Sequence, residues 1–300
     1  MRRIFFSFLA FMASVTTLMA DDCITPSTAT ATVTLIRRTG EFSINGSGGK
    51  VSFSPGNLQY RASTNTWRFA PQQYAVVGNA VGNTNPTSTQ SGWIDLFGWA
   101  TSGNSASGDS FHPWDTDTNN EHYGPTNLND GDDWTAANSD WGVVNAAQLG
   151  SGWRTLKKSE WDYLVNTRSA STVNGTANAR YAKATVNNQV GLILFPDTYT
   201  HPAGVKDPTN INTSTAAFNS NTYSAEEWRQ MEAVGAVFLP VEGYRNGTSF
   251  SDENSWGLYW SSTSAWTTGA YDLCINPGNV AADHWWNRYG GFSVRLVQDL

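Results

Sequence analysis

Oxygen-bearing side chains recur at every second position in Asp115, Asp117 and Asn119, and Glu121 follows. Calcium gathers carboxylate, amide and carbonyl oxygens at such a spacing. A helix-flanked calcium loop has Gly at its sixth position. Here Asn120 stands there and no helical pattern flanks the run, so a solvated polar loop is the competing reading. Asn129-Asp130-Gly131-Asp132-Asp133 is a weaker case of the same kind. His112 and His122 bracket the first run. With Asp115 and Glu121 they offer a transition-metal donor set, but the spacing matches no common ligand pattern.

Catalytic groups are harder to find. Cys23 and Cys274 are the only thiols, too far apart for a zinc signature. Paired, they would close a loop worth roughly 5 kcal/mol in the chain-entropy view. Unpaired, they are small apolar residues. No nucleophile elbow or phosphate loop is present, and plentiful carboxylates would hide any glycosidase pair. The expectation is a protein that binds rather than turns over, with no cofactor beyond the calcium option.

Aromatic residues point to where it binds. Trp266, Tyr271, Asp272, His284, Trp285, Trp286 and Asn287 fall in a stretch also rich in Thr, Gly and Asp, and 283–287 shows no strand alternation. Adjacent tryptophans on a strand point to opposite sides, so at least one of Trp285 and Trp286 should be exposed. The expectation is that these seven residues share one ligand-binding surface. By contrast, Trp93, Trp99, Trp141, Trp161 and Trp228 sit in apolar or helical contexts and are expected in the core.

The chain that positions them has 300 residues, 14 Trp and 27 Gly, with only 14% charged residues. That suits a loop-rich exported protein. Arg2-Arg3, the apolar run to Leu18 and Met19-Ala20 read as a signal peptide over 1–20, with 21–39 a flexible leader. Losing Arg2 and Arg3 takes the net charge from −7 to −9. So acidic a chain is not expected to coat nucleic acid or anionic lipid, and no later segment is apolar enough to span a bilayer. The expected location is extracellular or cell-surface, with the periplasm as the alternative.

Residues 40–300 read as a single α+β domain. Hairpin signals fall at 42–53, with Asn45-Gly46 at the turn, and at 181–195. A strand is expected at 65–69. One helix is expected over about 156–166. Another starts at the capping box Ser224-Ala225-Glu226-Glu227 and is closed by Gly235. Short strands should follow at 236–239, 258–262, 270–275 and 292–297. The last is expected to be a central strand, with Val294 and Leu296 on one face. Residues 101–139 read as a long polar loop.

Trp153-Arg154-Thr155-Leu156-Lys157-Lys158-Ser159-Glu160-Trp161 resembles the motif of the formylglycine-generating-enzyme family, where Arg-Leu-Pro-Thr precedes a Glu-Trp-Glu-Tyr helix. Gly257-Leu258-Tyr259-Trp260-Ser261-Ser262-Thr263 and Gly290-Gly291-Phe292-Ser293-Val294-Arg295-Leu296-Val297 look like closing strands of the same C-type-lectin-like fold. With Phe53-Ser54-Pro55-Gly56-Asn57, they are similar to exported paralogous proteins of gut bacteria and to the variable proteins of diversity-generating retroelements. The resemblance implies a C-terminal binding segment, 257–297, that engages a protein or glycan on another cell or host in an adhesin-like role. Its competing implications are a sulfatase-modifying enzyme and a fimbrial or envelope subunit. Two departures stand out. Cys274 has no nearby partner of the kind the oxidases use for copper, and Thr155-Leu156-Lys157 replaces the segment that supplies the helix-capping hydroxyl.

Overall fold

Apolar alternation about the Asn45-Gly46 turn pairs Phe42–Ser43 (β1) with Lys50–Phe53 (β2). A second hairpin joins Leu58–Arg61 (β3) to Thr66–Phe69 (β4). Short helical turns follow at Val81–Thr84 (α1), Ala136–Ser139 (α2), Trp141–Val144 (α3) and Ala146–Leu149 (α4). The computed structural model describes residues 40–104, 112–125 and 127–300. The expected signal peptide, the leader to residue 39 and Cys23 lie outside the described residues.

Trp153–Arg154 (β5) leads into Lys158–Asp162 (α5), which continues as one wider turn over Tyr163–Thr167. The expected helix is therefore present, starting two residues later than 156. Tyr181–Val186 (β6) and Gln189–Leu194 (β7) form the expected hairpin, flanked by Thr222–Tyr223 (β8) and Val237–Pro240 (β9). Between β8 and β9 lies Ala225–Ala233 (α6), entered through the expected capping box. The Ser224 N–H donates to Glu227 Oε2 at 2.8 Å, and the Glu227 N–H returns to Ser224 Oγ at 3.2 Å. Gly235 leaves the helix at φ +96°.

The C-terminal third begins with Tyr244–Asn246 (β10) and Ser249–Ser251 (β11). Gly257–Ala265 (β12), Gly269–Asn276 (β13) and Asn279–Asn287 (β14) then form a three-stranded antiparallel sheet in sequence order. Gly290–Gly291 (β15) pairs with β10, and Val297–Asp299 (β16) lies between β2 and β5. The fold is α+β, mostly antiparallel; β6 with β8 is a parallel pair. No helix among the described residues is long and apolar enough to cross a membrane.

The sheet of β12–β14 separates two apolar clusters. Tyr259, Leu273, Ile275, Val280 and Ala282 face one, with Trp161 and Phe53. Leu258, Trp260, Ala270 and Cys274 face the other, with Trp99, Trp141 and Phe292. Trp99, Trp141, Trp161 and Trp228 are buried as expected, but Trp93 is only half-buried, because it lies across the outer face of β3–β4 rather than beneath it.

The expected continuous strand 292–297 is corrected. Phe292 and Ser293 make single bridges, to Phe97 and Tyr259, and residues 294–296 are irregular before β16. The two sides are as expected. Val294 and Leu296 enter the apolar cluster, while Ser293 and Arg295 bond to buried polar groups. Those polar partners bend the segment out of strand geometry.

Candidate functional site

The long polar segment expected as a loop does its work against β12. Asp133 and Thr263 form an antiparallel bridge, and the Trp134 N–H donates to the Ser262 carbonyl at 3.1 Å. Thr263 Oγ1 donates to Asp133 Oδ1 at 2.6 Å and accepts the Lys158 N–H at 3.0 Å. The hydroxyl that caps α5 therefore comes from a strand about a hundred residues away in the chain, in place of the missing local threonine. Lys157 Nζ adds an ion pair with Asp133 Oδ2 at 2.8 Å.

This frame holds the turn between β12 and β13. Trp266 sits at φ +54°, a left-handed conformation that costs a non-glycine residue about 1–3 kcal/mol unless its surroundings fix it. They do so through the backbone. The Trp266 N–H donates to Asp130 Oδ1, its carbonyl accepts from Ser264 Oγ, and the Arg288 N–H donates to the Thr268 carbonyl. The buried Arg288 guanidinium donates to the Gly269 carbonyl at 3.1 Å and to Ser264 Oγ at 2.7 Å, with its plane over Trp99. Burial lowers this guanidinium to about 10.

The indole of Trp266 is left 56% exposed. Asp130 Oδ1 also accepts the Tyr271 hydroxyl at 3.1 Å, and Tyr271 pairs across the sheet with Trp285. Trp285 is 46% exposed and lies against the backbone of Gly269, where a β-carbon would approach its Cε3 to 2.9 Å. Glycine here lets the ring lie along the strand. Lys158 Nζ stands 5.3 Å from the centre of the Tyr271 ring. Trp266, Tyr271 and Trp285 thus belong to one front face, rimmed by Asp130 and Asp283.

The expectation of a single seven-residue surface is corrected. Asp272, His284 and Trp286 lie on the opposite face of the sheet. A bulge between Asp272 and Cys274 in the β13–β14 register shifts the alternation, turning His284 and Trp286 toward the second apolar cluster. His284 Nδ1 contacts both oxygens of fully buried Asp272, at 3.0 and 2.9 Å. Its ring lies 6.0 Å from those of Trp256 and Trp286. Asn287 Oδ1 accepts from Asn120 Nδ2, and Asn287 Nδ2 donates to the Tyr289 hydroxyl.

Burial disfavours the charged imidazole of His284, but the Asp272 hydrogen bond and charge outweigh it and raise the pKa. A raised histidine pKa stabilises the fold fully below its unfolded value near 6.5, and that stability is lost as pH rises through the folded value. Amide exchange across β13 and β14 should accordingly quicken above about pH 6.5 beyond the intrinsic base effect. The His284→Gln protein should lack that extra step; equal excess in both proteins would rule the pair out as its cause.

The oxygens expected to gather calcium also accept backbone N–H groups of their own loop. Asp115 accepts the Asp117 N–H, Asp117 accepts the Asn119 N–H, and Asn119 accepts the Glu121 N–H. His122 Nδ1 lies 2.9 Å from Asp117 Oδ2, and His112 stacks on Trp114. Among the described residues no three His, Cys, Asp or Glu side chains are gathered as a metal would need. Cys274 is free and buried, and burial pushes its thiol up to about 12, so almost none is thiolate at neutral pH. Sequence reasoning missed Asp130, Asp133 and Arg288 as the residues that set the face, since each acts on a partner remote in sequence. No protein-family model, curated protein or solved structure matches the chain.

Proposed function

We propose that this is an exported, non-catalytic, adhesin-like binding protein of C-type-lectin-like architecture. Its front aromatic face, Trp266, Tyr271 and Trp285, takes a glycan. The observation that carries this reading is Trp266, a bulky apolar residue held in a left-handed turn with most of its ring in water. Backbone bonds to Asp130 and Ser264 maintain the conformation, and nothing in the packing requires an indole there.

A glycan fits better than a protein partner. Trp285 lies against the Gly269 backbone with its outer surface open, which suits stacking by a sugar ring. Asp130, Asp283 and Thr267 offer adaptable polar contacts around it. The inert thiol of Cys274 speaks against thiolate chemistry at this sheet.

Binding to an immobilised glycan panel tests the reading, with thermal melting as control. Trp285→Ala should weaken capture about thirtyfold or more, as loss of an anchoring tryptophan does, with little loss of stability. Trp266→Gly should weaken capture while leaving stability level or raising it by up to about 1 kcal/mol, because glycine relieves the left-handed strain. Trp286→Ala should instead destabilise by about 2 kcal/mol or more, since that ring packs with Tyr244 and Phe292. Unchanged capture by the Trp285→Ala and Trp266→Gly proteins would dismiss the face.

A further inference from the structure

A different sheet carries a feature that the front face does not explain. On the β3–β4 hairpin the register sets Gln59 opposite Arg68 and Arg61 opposite Thr66. Alternation puts Tyr60 and Trp67 toward the apolar cluster and Gln59, Arg61 and Arg68 on the opposite side, where Gln59 is buried and the two arginines are partly exposed. Ile94 bridges to Tyr60 on the free edge of β3, which brings its neighbour Trp93 onto the same outer side. The guanidinium carbon of Arg68 then lies 3.6 Å from the centre of the Trp93 ring, and that of Arg61 lies 4.1 Å from it.

The two like charges are therefore no farther apart than the screening length at physiological salt, about 8 Å. No carboxylate among the described residues pairs with either. Each of the other described arginines donates at least one hydrogen bond or ion pair to the protein, although the Nε of Arg245 and Arg295 is also buried without a partner. Arg154 meets Glu160 and Asp299, Arg168 meets Asp197, and Arg229 meets Glu226. Arg180, Arg245, Arg288 and Arg295 donate to carbonyl, hydroxyl or amide oxygens. Arg68 donates only through Nε, to Gln59 Oε1 at 3.0 Å, and that amide is itself held by Asp95. Arg61 makes no hydrogen bond to the described residues, and its Nε is shielded from solvent without a partner there.

The pair of cations therefore lacks counter-charge among the described residues, in a chain of net charge −7. Stacking on the indole favours both cations and limits how their planes can turn, so the repulsion between them is built in rather than relaxed away. We propose that Arg61, Arg68 and Trp93 form a binding site for a compact oxyanion, the sulfate or phosphate ester group of an otherwise uncharged ligand.

The chemistry follows from the guanidinium. Its planar fork offers paired N–H donors that match two oxygens of a tetrahedral anion, and charge-assisted bonds of this kind are the strong ones. A single anionic group neutralises the pair through the terminal guanidinium nitrogens, which are not among the shielded atoms. A polyanion is not the fit, because the chain's net charge of −7 repels extended negative charge. The site is separate from the front face and does not depend on a glycan binding there.

The test uses uniformly 15N-labelled full chain and follows the arginine Nε–Hε signals, assigned with Arg61→Gln and Arg68→Gln proteins. Sodium sulfate, sodium phosphate, methyl sulfate and methyl phosphate are titrated against sodium chloride at matched ionic strength. The Arg61 and Arg68 signals should move saturably with sulfates, phosphates or both, and not with chloride. The methyl esters then separate a sulfate from a phosphate preference. Arg61→Gln should weaken binding at least tenfold at an unchanged melting temperature, and Trp285→Ala should leave it unchanged. Should the variants fail to fold, the wild-type titration still decides. Shifts no larger than those with chloride, or equal affinity in the folded Arg61→Gln protein, would overturn the site.

Discussion

Deleting residues 292–300 should leave a chain that no longer melts cooperatively. Phe292, Val294, Leu296 and Val297 are all fully buried, and each such side chain contributes about 1.5–3 kcal/mol. A whole domain has only about 5–15 kcal/mol to lose. The deletion also takes β16 from between β2 and β5, removes Asp299 from Arg154, and strips Arg295 from Asn57 and Gln73. Circular dichroism against temperature gives the answer. A sharp melt near the parent temperature would mean that the closing segment is an accessory.

Replacing Glu242 with Gln should stabilise the protein near pH 8 and change little near pH 4. Glu242 and Asp95 are both buried and hydrogen-bonded to one another. Burial raises the Asp95 pKa as well, and the bonds it accepts from Asn83 Nδ2 at 2.7 Å and the Val77 N–H at 2.8 Å only partly offset this. Burial and the Asp95 charge push Glu242 well above the usual carboxyl range, so it keeps the proton and donates it. A carboxyl raised in the folded state stabilises most below its unfolded value near 4.5. Stability is then lost as pH rises toward the folded value, by about 1.4 kcal/mol per pH unit for one proton. Glutamine keeps a donor facing Asp95 with no proton to lose, so the variant should not show that slope. Parallel stability profiles for the two proteins would refute the shared proton.

Local signals in the chain were read correctly where local forces decide. The capping box at Ser224, the Asn45-Gly46 hairpin and the pair β6–β7 are set by residues within a few positions of each other. The α5 cap could not be seen, because its hydroxyl is Thr263. No strand was expected at 279–287, because the bulge reverses the inward side partway along β14. Val280 and Ala282 face one cluster and Trp286 the other, and a period-two scan cancels. Ordinary alternation alone sends Tyr271 and Trp285 to one face and their neighbours Asp272 and Trp286 to the other. Residues 292–297 alternated well enough to suggest a strand, yet buried acceptors for Ser293 and Arg295 override the ladder. Trp93 looked like core in an apolar stretch. Its arginine neighbours lie across the hairpin, where no linear window reaches them.

The turn at 265–268 separates what holds its shape from what it displays. The bonds that fix it run through backbone groups of Trp266, Thr268 and Gly269 to Asp130, Ser264 and Arg288. The side chains at 266, 267, 268 and 285 are exposed and take no part in those bonds. Side-chain changes there leave those backbone bonds in place, so many sequences should occupy these positions on an unchanged skeleton. On the binding reading proposed above, a lineage could then explore new specificities by single steps, with selection acting on recognition without first having to rescue stability.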